Sequence, residues 1–234
     1  MSALPKNVED IHPSLWKGNQ LARSVGRTVP TGYDRLTREL PGGGWPIGAL
    51  VELMVQQPGI GEVRLLQPAL TSVAKRPVVL VKPPQVPNAA GLSYIGIPAD
   101  KLLRLEPTKT ADALWSTEQI LKANTCGAVI LWQQHIRAES LRRLSLHAQS
   151  SEVLFFVLRP LAAAQDTSPA SLRLSLRPAE NGVRIEVIKR KGPVGVDPFD
   201  VVLKPSPILL SPYGRSRAVR AIEAKLQIPA TVEA

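Results

Sequence analysis

The chain has 234 residues, of which 44% are hydrophobic, and it carries a formal net charge of +10. This length and composition predict one substantial globular core with room for a small appendage, and they exclude an intrinsically disordered chain. The positive charge favours an acidic partner, which is either nucleic acid or an acidic protein surface.

Cysteine, histidine and long apolar segments are all scarce. The single cysteine, Cys126, excludes an internal disulfide and leads into an apolar run, so we expect it to be buried in the core. The three histidines have no neighbouring carboxylates or cysteines at metal-ligand spacing, so no metal site is expected. No stretch approaches the roughly 18 apolar residues that span a bilayer, and residues 1–19 lack an apolar signal core. We therefore expect a cytoplasmic protein with no membrane contact.

Composition divides the chain into three parts. Residues 1–30 form a leader segment, 31–203 the core, and 204–234 a proline-rich linker followed by a basic helix. The core is predicted to begin with a short helix over about 31–40, a glycine-proline turn and an apolar strand over 49–54. Residues 63–73 then have helical apolar spacing, which Pro68 is expected to interrupt or kink.

Short apolar runs alternate with helical segments through the rest of the core. The runs cover 77–81, 102–105, 128–132 and 153–158, and the helices lie near 88–94, 111–123 and 138–149. Strands separated by helices predict right-handed crossovers and a mainly parallel sheet with helices on both faces, which is an α/β fold.

The pattern changes after Pro160 to strict alternation over 171–177 and 183–189, joined by a turn that ends in Asn181-Gly182. This pattern predicts an antiparallel hairpin at the edge of the sheet with one solvated face. The basic edge either contacts phosphate or only prevents aggregation. The residues expected to face outward are Arg173, Arg177, Arg184, Glu186 and Arg190.

The carboxyl-terminal segment predicts an amphipathic helix. Its apolar face holds Ala218, Val219, Ile222 and Leu226, while Arg217, Arg220 and Glu223 lie largely off that face. Such a helix is either docked on the core or is a partner-binding peptide. Its candidate partner or DNA contacts are Arg215, Arg217, Arg220, Val219, Ile222 and Leu226.

The sequence QQPGIGEVR at residues 56–64 stands where a nucleotide-binding fold places its phosphate loop. Gln56 replaces the first glycine of the G-x-x-x-x-G-K-[ST] pattern, Glu62 replaces the lysine and Val63 the hydroxyl, although Gly59 and Gly61 are kept. A carboxylate in place of the cation repels a triphosphate. No nucleotide cofactor is therefore expected.

The order of elements resembles the ATPase core of the RecA recombinase over residues 31–192. The motif that carries the resemblance is TGYDRLTRELPGGGWPIGALVEL at 31–53. The resemblance implies a RecA-like P-loop NTPase fold with a carboxyl-terminal hairpin. It also aligns Trp132 with the Walker-B aspartate and Pro84 with the catalytic glutamate, so we expect a pseudo-ATPase rather than an enzyme.

The DNA-binding loops of the RecA core are not retained. The first loop is replaced by a single helix after residue 132, and the second is compressed to LAAAQDTSPA, which has no basic or aromatic residue. Filament formation on single-stranded DNA is therefore not expected. Any DNA contact would use other basic residues, namely Arg137, Arg142 and Arg143 or the tail arginines.

A closer resemblance is to ImuA, the RecA-like accessory family of bacterial damage-induced mutagenesis. The matching motifs are LPGGGWPIGALVELM, PGIGEVRLLQPAL, VKPPQVPNAAGL, DALWSTEQIL and the LRP at 158–160. The resemblance implies a role in SOS-induced translesion synthesis with ImuB, an inactive Y-family polymerase relative, and indirectly with a DnaE-type error-prone polymerase. RecA and DNA are further partners to test. SulA, the cell-division inhibitor that acts on FtsZ, shares the middle region and is the alternative.

Overall fold

The computed structural model describes residues 26–191 and 197–203. Residues 1–25 of the leader segment and the whole tail over 204–234, with its six candidate contact residues, lie outside the described residues. The helices are α1 Asp34–Glu39, α2 Glu62–Val73, α3 Ala89–Tyr94, α4 Thr110–Ala123 and α5 Ala138–Gln149. The strands are β1 Thr28–Val29, β2 Trp45–Pro46, β3 Ala49–Val55, β4 Val78–Val81, β5 Leu102–Leu105, β6 Ala128–Trp132, β7 Leu154–Pro160, β8 Leu172–Ala179, β9 Gly182–Lys189 and β10 Phe199–Val202.

An eight-stranded sheet organises the described part of the chain. Its order is β10-β9-β8-β3-β7-β6-β4-β5, and β1 pairs separately with β2. The strands from β8 to β5 run parallel, whereas β9 and β10 are antiparallel to their neighbours. The mixed α/β fold, the mainly parallel sheet and the hairpin agree with the sequence prediction. Because β3, β4, β6 and β7 run parallel, their carboxyl ends share one edge of the sheet.

Helices cover both faces of the sheet. On one face, α2 packs Leu65, Leu66 and Leu70 against the strands. On the other face, α4 and α5 bury a second cluster that includes Cys126, as expected for the single cysteine. The strands between them read as continuous apolar runs because alternate side chains enter opposite clusters. In β6, for example, Ile130 belongs to the first cluster and Leu131 to the second.

Helix α2 runs through Pro68 as a single element, and the expected interruption does not occur. Proline has no backbone N–H, so the carbonyl of Arg64, four residues earlier, loses its helical donor. The Tyr33 hydroxyl donates to that carbonyl at 3.1 Å instead. Burial raises the pKa of the Tyr33 phenol, which keeps the donating proton in place. The TGYD motif thus supplies the hydrogen bond that Pro68 removes.

The hairpin of β8 and β9 is antiparallel as predicted, but it is not the edge of the sheet. Strand β10, which the sequence analysis missed, pairs with β9 and covers it. Arg184 donates two hydrogen bonds to the Asp200 carboxylate of β10, at 2.7 and 3.0 Å. These bonds hold the pKa of Asp200 below its usual value. The predicted basic edge is therefore partly neutralised.

The prediction of outward-facing residues on the hairpin is wrong for Arg173, which is buried. Arg190 is only partly exposed and its guanidinium contacts the backbone carbonyl of Glu39. Arg177, Arg184 and Glu186 do lie at the surface. The predicted face is only partly solvated because other parts of the chain cover it.

Candidate functional site at the carboxyl edge of the sheet

The loop between β3 and α2, residues 56–61, lies at the carboxyl edge of the sheet. Its two inner glycines adopt left-handed conformations, with φ of 87° at Gly59 and 116° at Gly61. Glycine reaches this region without the steric cost that a β-carbon brings. The loop therefore turns its backbone N–H groups towards a common point, as anion-binding loops do before a helix.

Glu62 occupies that point with its own carboxylate. The Gly59 N–H lies 3.0 and 3.1 Å from the two carboxylate oxygens, and the Gly61 N–H lies 3.2 Å from one of them. Glu62 is buried, with 3% of its surface exposed, at the first position of α2, where the helix dipole favours a negative charge. The amides that an anion would use are therefore already bonded within the chain.

This arrangement extends the sequence-based expectation. The substitution pattern predicted only that Glu62 would repel a triphosphate. The geometry adds that the carboxylate is held by the loop and takes the place an external anion would need. Val63, the next residue, is partly buried and provides no hydroxyl beside the loop. Gln56 is exposed, and its backbone N–H donates to Leu176 of β8 at 3.1 Å.

The strand ends beside the loop carry no carboxylate. Trp132 ends β6, pairs with Leu158 and packs against the core cluster of the α2 face. Its Nε1 is buried and has no hydrogen-bond partner among the described residues. Pro84 follows β4 and lines the cavity next to the loop. An indole and a pyrrolidine ring offer no oxygen to Mg²⁺ and no base to activate water.

Lys82 is a residue near the loop that the sequence analysis missed. It follows β4 in a left-handed conformation, φ 53°, and its backbone N–H donates to Leu105 of β5 at 2.8 Å. Lys82, Gln56 and Trp132 line one cavity of about 500 Å³. Lys82 follows a different strand from the one that leads into the loop, so the motif at 56–64 does not reveal it. The VKPPQ motif, directly after a buried strand, was the available signal.

A groove of about 410 Å³ lies between the loop and α3, and we call it the proline groove. Its rim includes Pro58, Pro83, Pro84 and Pro87, with Trp132 at one side. Val86, also on the rim, is 72% exposed. Glu62 is the ionisable side chain among its lining residues, and its carboxylate is bonded to the loop. This surface suits an apolar chain segment better than a polyanion.

A buried ion-pair network lies beneath this edge of the sheet. Glu52 of β3 is fully buried and accepts from Arg159 of β7 at 3.0 Å and from Arg173 of β8 at 2.7 Å. Arg159 also pairs with Asp166 at 2.7 Å, and Arg173 donates to the carbonyl of Ala163 at 2.7 Å. Arg173 is therefore a structural residue and is unavailable to phosphate.

The remaining core residues considered for DNA contact lie on α5 and at its start. Arg137 is the N-cap residue of α5, and Arg142 and Arg143 lie within the helix. All three are exposed. Arg143 uses its Nε to donate to Glu118 of α4 at 3.0 Å. Arg137 and Arg143 share a cavity, whereas Arg142 does not line it.

Three further comparisons concern membrane helices, metal-ligand clusters and similarity to known proteins. Within residues 26–191 and 197–203, none of the helices has the length and apolar character that crossing a membrane requires. The same ranges contain no group of three or more histidine, cysteine, aspartate or glutamate residues placed to hold a metal ion. No protein-family model matches the sequence, and comparison with curated proteins gives no significant match.

Proposed function

We propose that this chain is a non-catalytic, RecA-like accessory protein of SOS-induced translesion DNA synthesis, of the ImuA type. The observation that supports a non-catalytic role is the Glu62 carboxylate bound by the amides of Gly59 and Gly61. Because a side chain of the protein itself occupies the loop amides, we infer that the loop has a structural role and does not bind phosphate.

The energetics favour the internal anion over a nucleotide. A triphosphate would have to displace the carboxylate from hydrogen bonds of about 1.5–3 kcal/mol each, as is usual for charged groups. The displaced carboxylate would then repel the phosphates at short range. Bound Mg²⁺ could offset these costs, but β6 ends in Trp132 and therefore offers no carboxylate to hold the ion. Lys82 lies directly after β4, not in the loop.

The residues that line the proline groove support a role in protein contacts. The proline groove has an apolar rim where a nucleotide-binding protein has polar groups, and Val86 is largely exposed there. The sequence motifs resemble ImuA, so the proposed partner is an ImuB-type polymerase-like protein, with a DnaE-type polymerase recruited indirectly. We propose that the sheet edge and the tail helix make the contact with that protein.

The tail contact can be tested in the full-length chain by co-purification with the ImuB-type protein of the same organism. Replacing Ile222 and Leu226 together by aspartate places two charges on the apolar face of the predicted helix. We expect association to weaken roughly tenfold or more, as for loss of central apolar contacts in an interface. Glu223→Ala, off that face, is the matched control and is expected to bind like the wild type.

Two results would count against this account. Equal binding by the double aspartate variant and the wild type would exclude the tail helix as the docking element. Absence of any complex with the wild-type chain would contradict the partner assignment. Filamentation of cells on overexpression, together with binding to FtsZ, would instead favour the SulA-like alternative.

A further inference from the structure

The cavity that Arg137 and Arg143 share has a volume of about 720 Å³ and lies between α4 and the start of α5, and we call it the Trp115 pocket. Its volume falls within the range of about 300–1,000 Å³ that is usual for ligand sites. It is separate from Glu62 and from the proline groove. The proposed protein contacts do not use it.

Trp115 is the most unusual residue of this pocket. It lies on α4 but outside the buried face of the helix, and 63% of its surface is exposed. Its indole makes no ring contact with another aromatic side chain among the described residues. An exposed tryptophan at the mouth of a cavity presents a large flat surface on which another ring can stack.

Arg137 and Arg143 line the same pocket as Trp115. Arg137 is exposed and forms no ion pair among the described residues. Arg143 donates from Nε to Glu118 at 3.0 Å, and within residues 26–191 and 197–203 its two Nη groups have no hydrogen-bond partner. Arginine forks of this kind bind phosphate through two parallel hydrogen bonds.

The two acids of the pocket do not cancel this positive charge. Glu118 is bonded to Arg143, and Asp166 is bonded to Arg159 at 2.7 Å. The lining side chains therefore include three arginines and two carboxylates, and Arg137 is the arginine without a carboxylate partner. The surplus charge favours an anionic ligand.

We propose that the Trp115 pocket binds single-stranded nucleic acid, with one base stacked on Trp115 and neighbouring phosphates held by Arg137 and Arg143. A base within a duplex is already stacked on both faces, so a strand with free bases fits an exposed indole better. The combination of one flat aromatic side chain with flanking arginines is the arrangement that sequence-tolerant single-strand binding uses. This site is independent of the proposed partner protein.

The test uses the full-length chain and fluorescein-labelled oligomers of fifteen deoxythymidines or fifteen uridines, measured by fluorescence anisotropy at several salt concentrations. Trp115→Ala is expected to weaken binding about tenfold or more, while Trp115→Phe keeps most of the affinity. Arg137→Ala is expected to weaken binding several-fold and to lower the salt slope by about 0.7. Arg142→Ala, on the same helix but outside the pocket, is the matched control.

Tryptophan fluorescence of the same protein variants provides a second readout. Unlabelled oligomer is expected to quench the tryptophan emission of the wild type, and Trp115→Phe removes most of that quenching. Unchanged thermal melting of each variant would show that the fold is retained, as expected for exposed side chains. Preference between the two oligomers distinguishes a DNA strand from an RNA strand.

The proposal would be overturned by absence of binding at low salt, or by equal affinity in the wild type and Trp115→Ala. Equal losses in Arg137→Ala and Arg142→Ala would show general attraction to a basic surface, which also contradicts it. A polyglutamate peptide serves as the competing probe. If this peptide binds the pocket and the oligomers do not, an acidic protein segment is the ligand instead.

Discussion

Glu52→Gln is expected to lower the free energy of unfolding by about 3–5 kcal/mol, because it leaves two buried arginines without their shared carboxylate. Glu52 is fully buried, and its two oxygens accept separately from Arg159 and Arg173. The glutamine has nearly the same shape, so the loss reports the uncompensated charge rather than a cavity. Urea denaturation followed by circular dichroism measures the change in midpoint.

Two further variants make this result specific. Asp200→Asn removes one partner of the exposed pair with Arg184 and is expected to leave the midpoint close to that of the wild type. Replacing Glu52 by leucine and both arginines by methionine is expected to recover most of the lost stability, because well-packed apolar groups often replace a buried ion pair without loss. A wild-type midpoint for Glu52→Gln alone would refute the role assigned to the network.

Gly182→Ala is expected to destabilise the fold by about 2–4 kcal/mol and to detach β10 from the sheet. A β-carbon at residue 182 would collide with the backbone carbonyl of Val201, and backbone cannot move aside without breaking the pairing of β9 and β10. Hydrogen exchange should show faster exchange in β10. Leu203, which follows β10, lies against Gly61 of the loop. Displacement of β10 is therefore also expected to disturb the loop at the candidate site.

Gly59→Ala is the matched comparison for this prediction. Gly59 has a φ of 87°, but a β-carbon there would meet open space. The expected cost is the left-handed backbone penalty alone, about 1–2 kcal/mol. Equal destabilisation by the two variants, or unchanged exchange in β10 of Gly182→Ala, would show that the contact with Val201 does not decide the position of that strand.

The sequence was sufficient to predict the parallel sheet because each strand is a continuous apolar run between helices of clear period. It was insufficient at the hairpin, where alternation over 171–177 indicates one buried and one solvated face. The second face of β8 is covered by residues 161–165, whose carbonyls accept from Arg173. Packing between segments that are distant in sequence therefore determines which hairpin residues are buried. Strand β10, which the sequence analysis missed, is held in the sheet by its antiparallel pairing with β9.

The candidate site was predictable in position but not in detail. The expectation for Glu62 came from the loop motif at 56–64, and those for Trp132 and Pro84 came from the resemblance to the RecA core. That the Glu62 carboxylate turns back onto the amides of Gly59 depends on the left-handed loop conformation, which residue types alone do not fix. Lys82 lines the same cavity as the loop residue Gln56 because the sheet order β3-β7-β6-β4 places the ends of these strands along one edge.

The most direct test is an isothermal titration of the full-length chain with Mg-ATP, together with a thermal melt at millimolar nucleotide. With the loop amides bound by Glu62, we expect no heat of binding, no shift in Tm and no release of phosphate. A ligand present at 100 times its Kd would add about 2.7 kcal/mol to stability, so binding would be visible in the melt. A micromolar Kd for Mg-ATP, or its hydrolysis, would contradict the account.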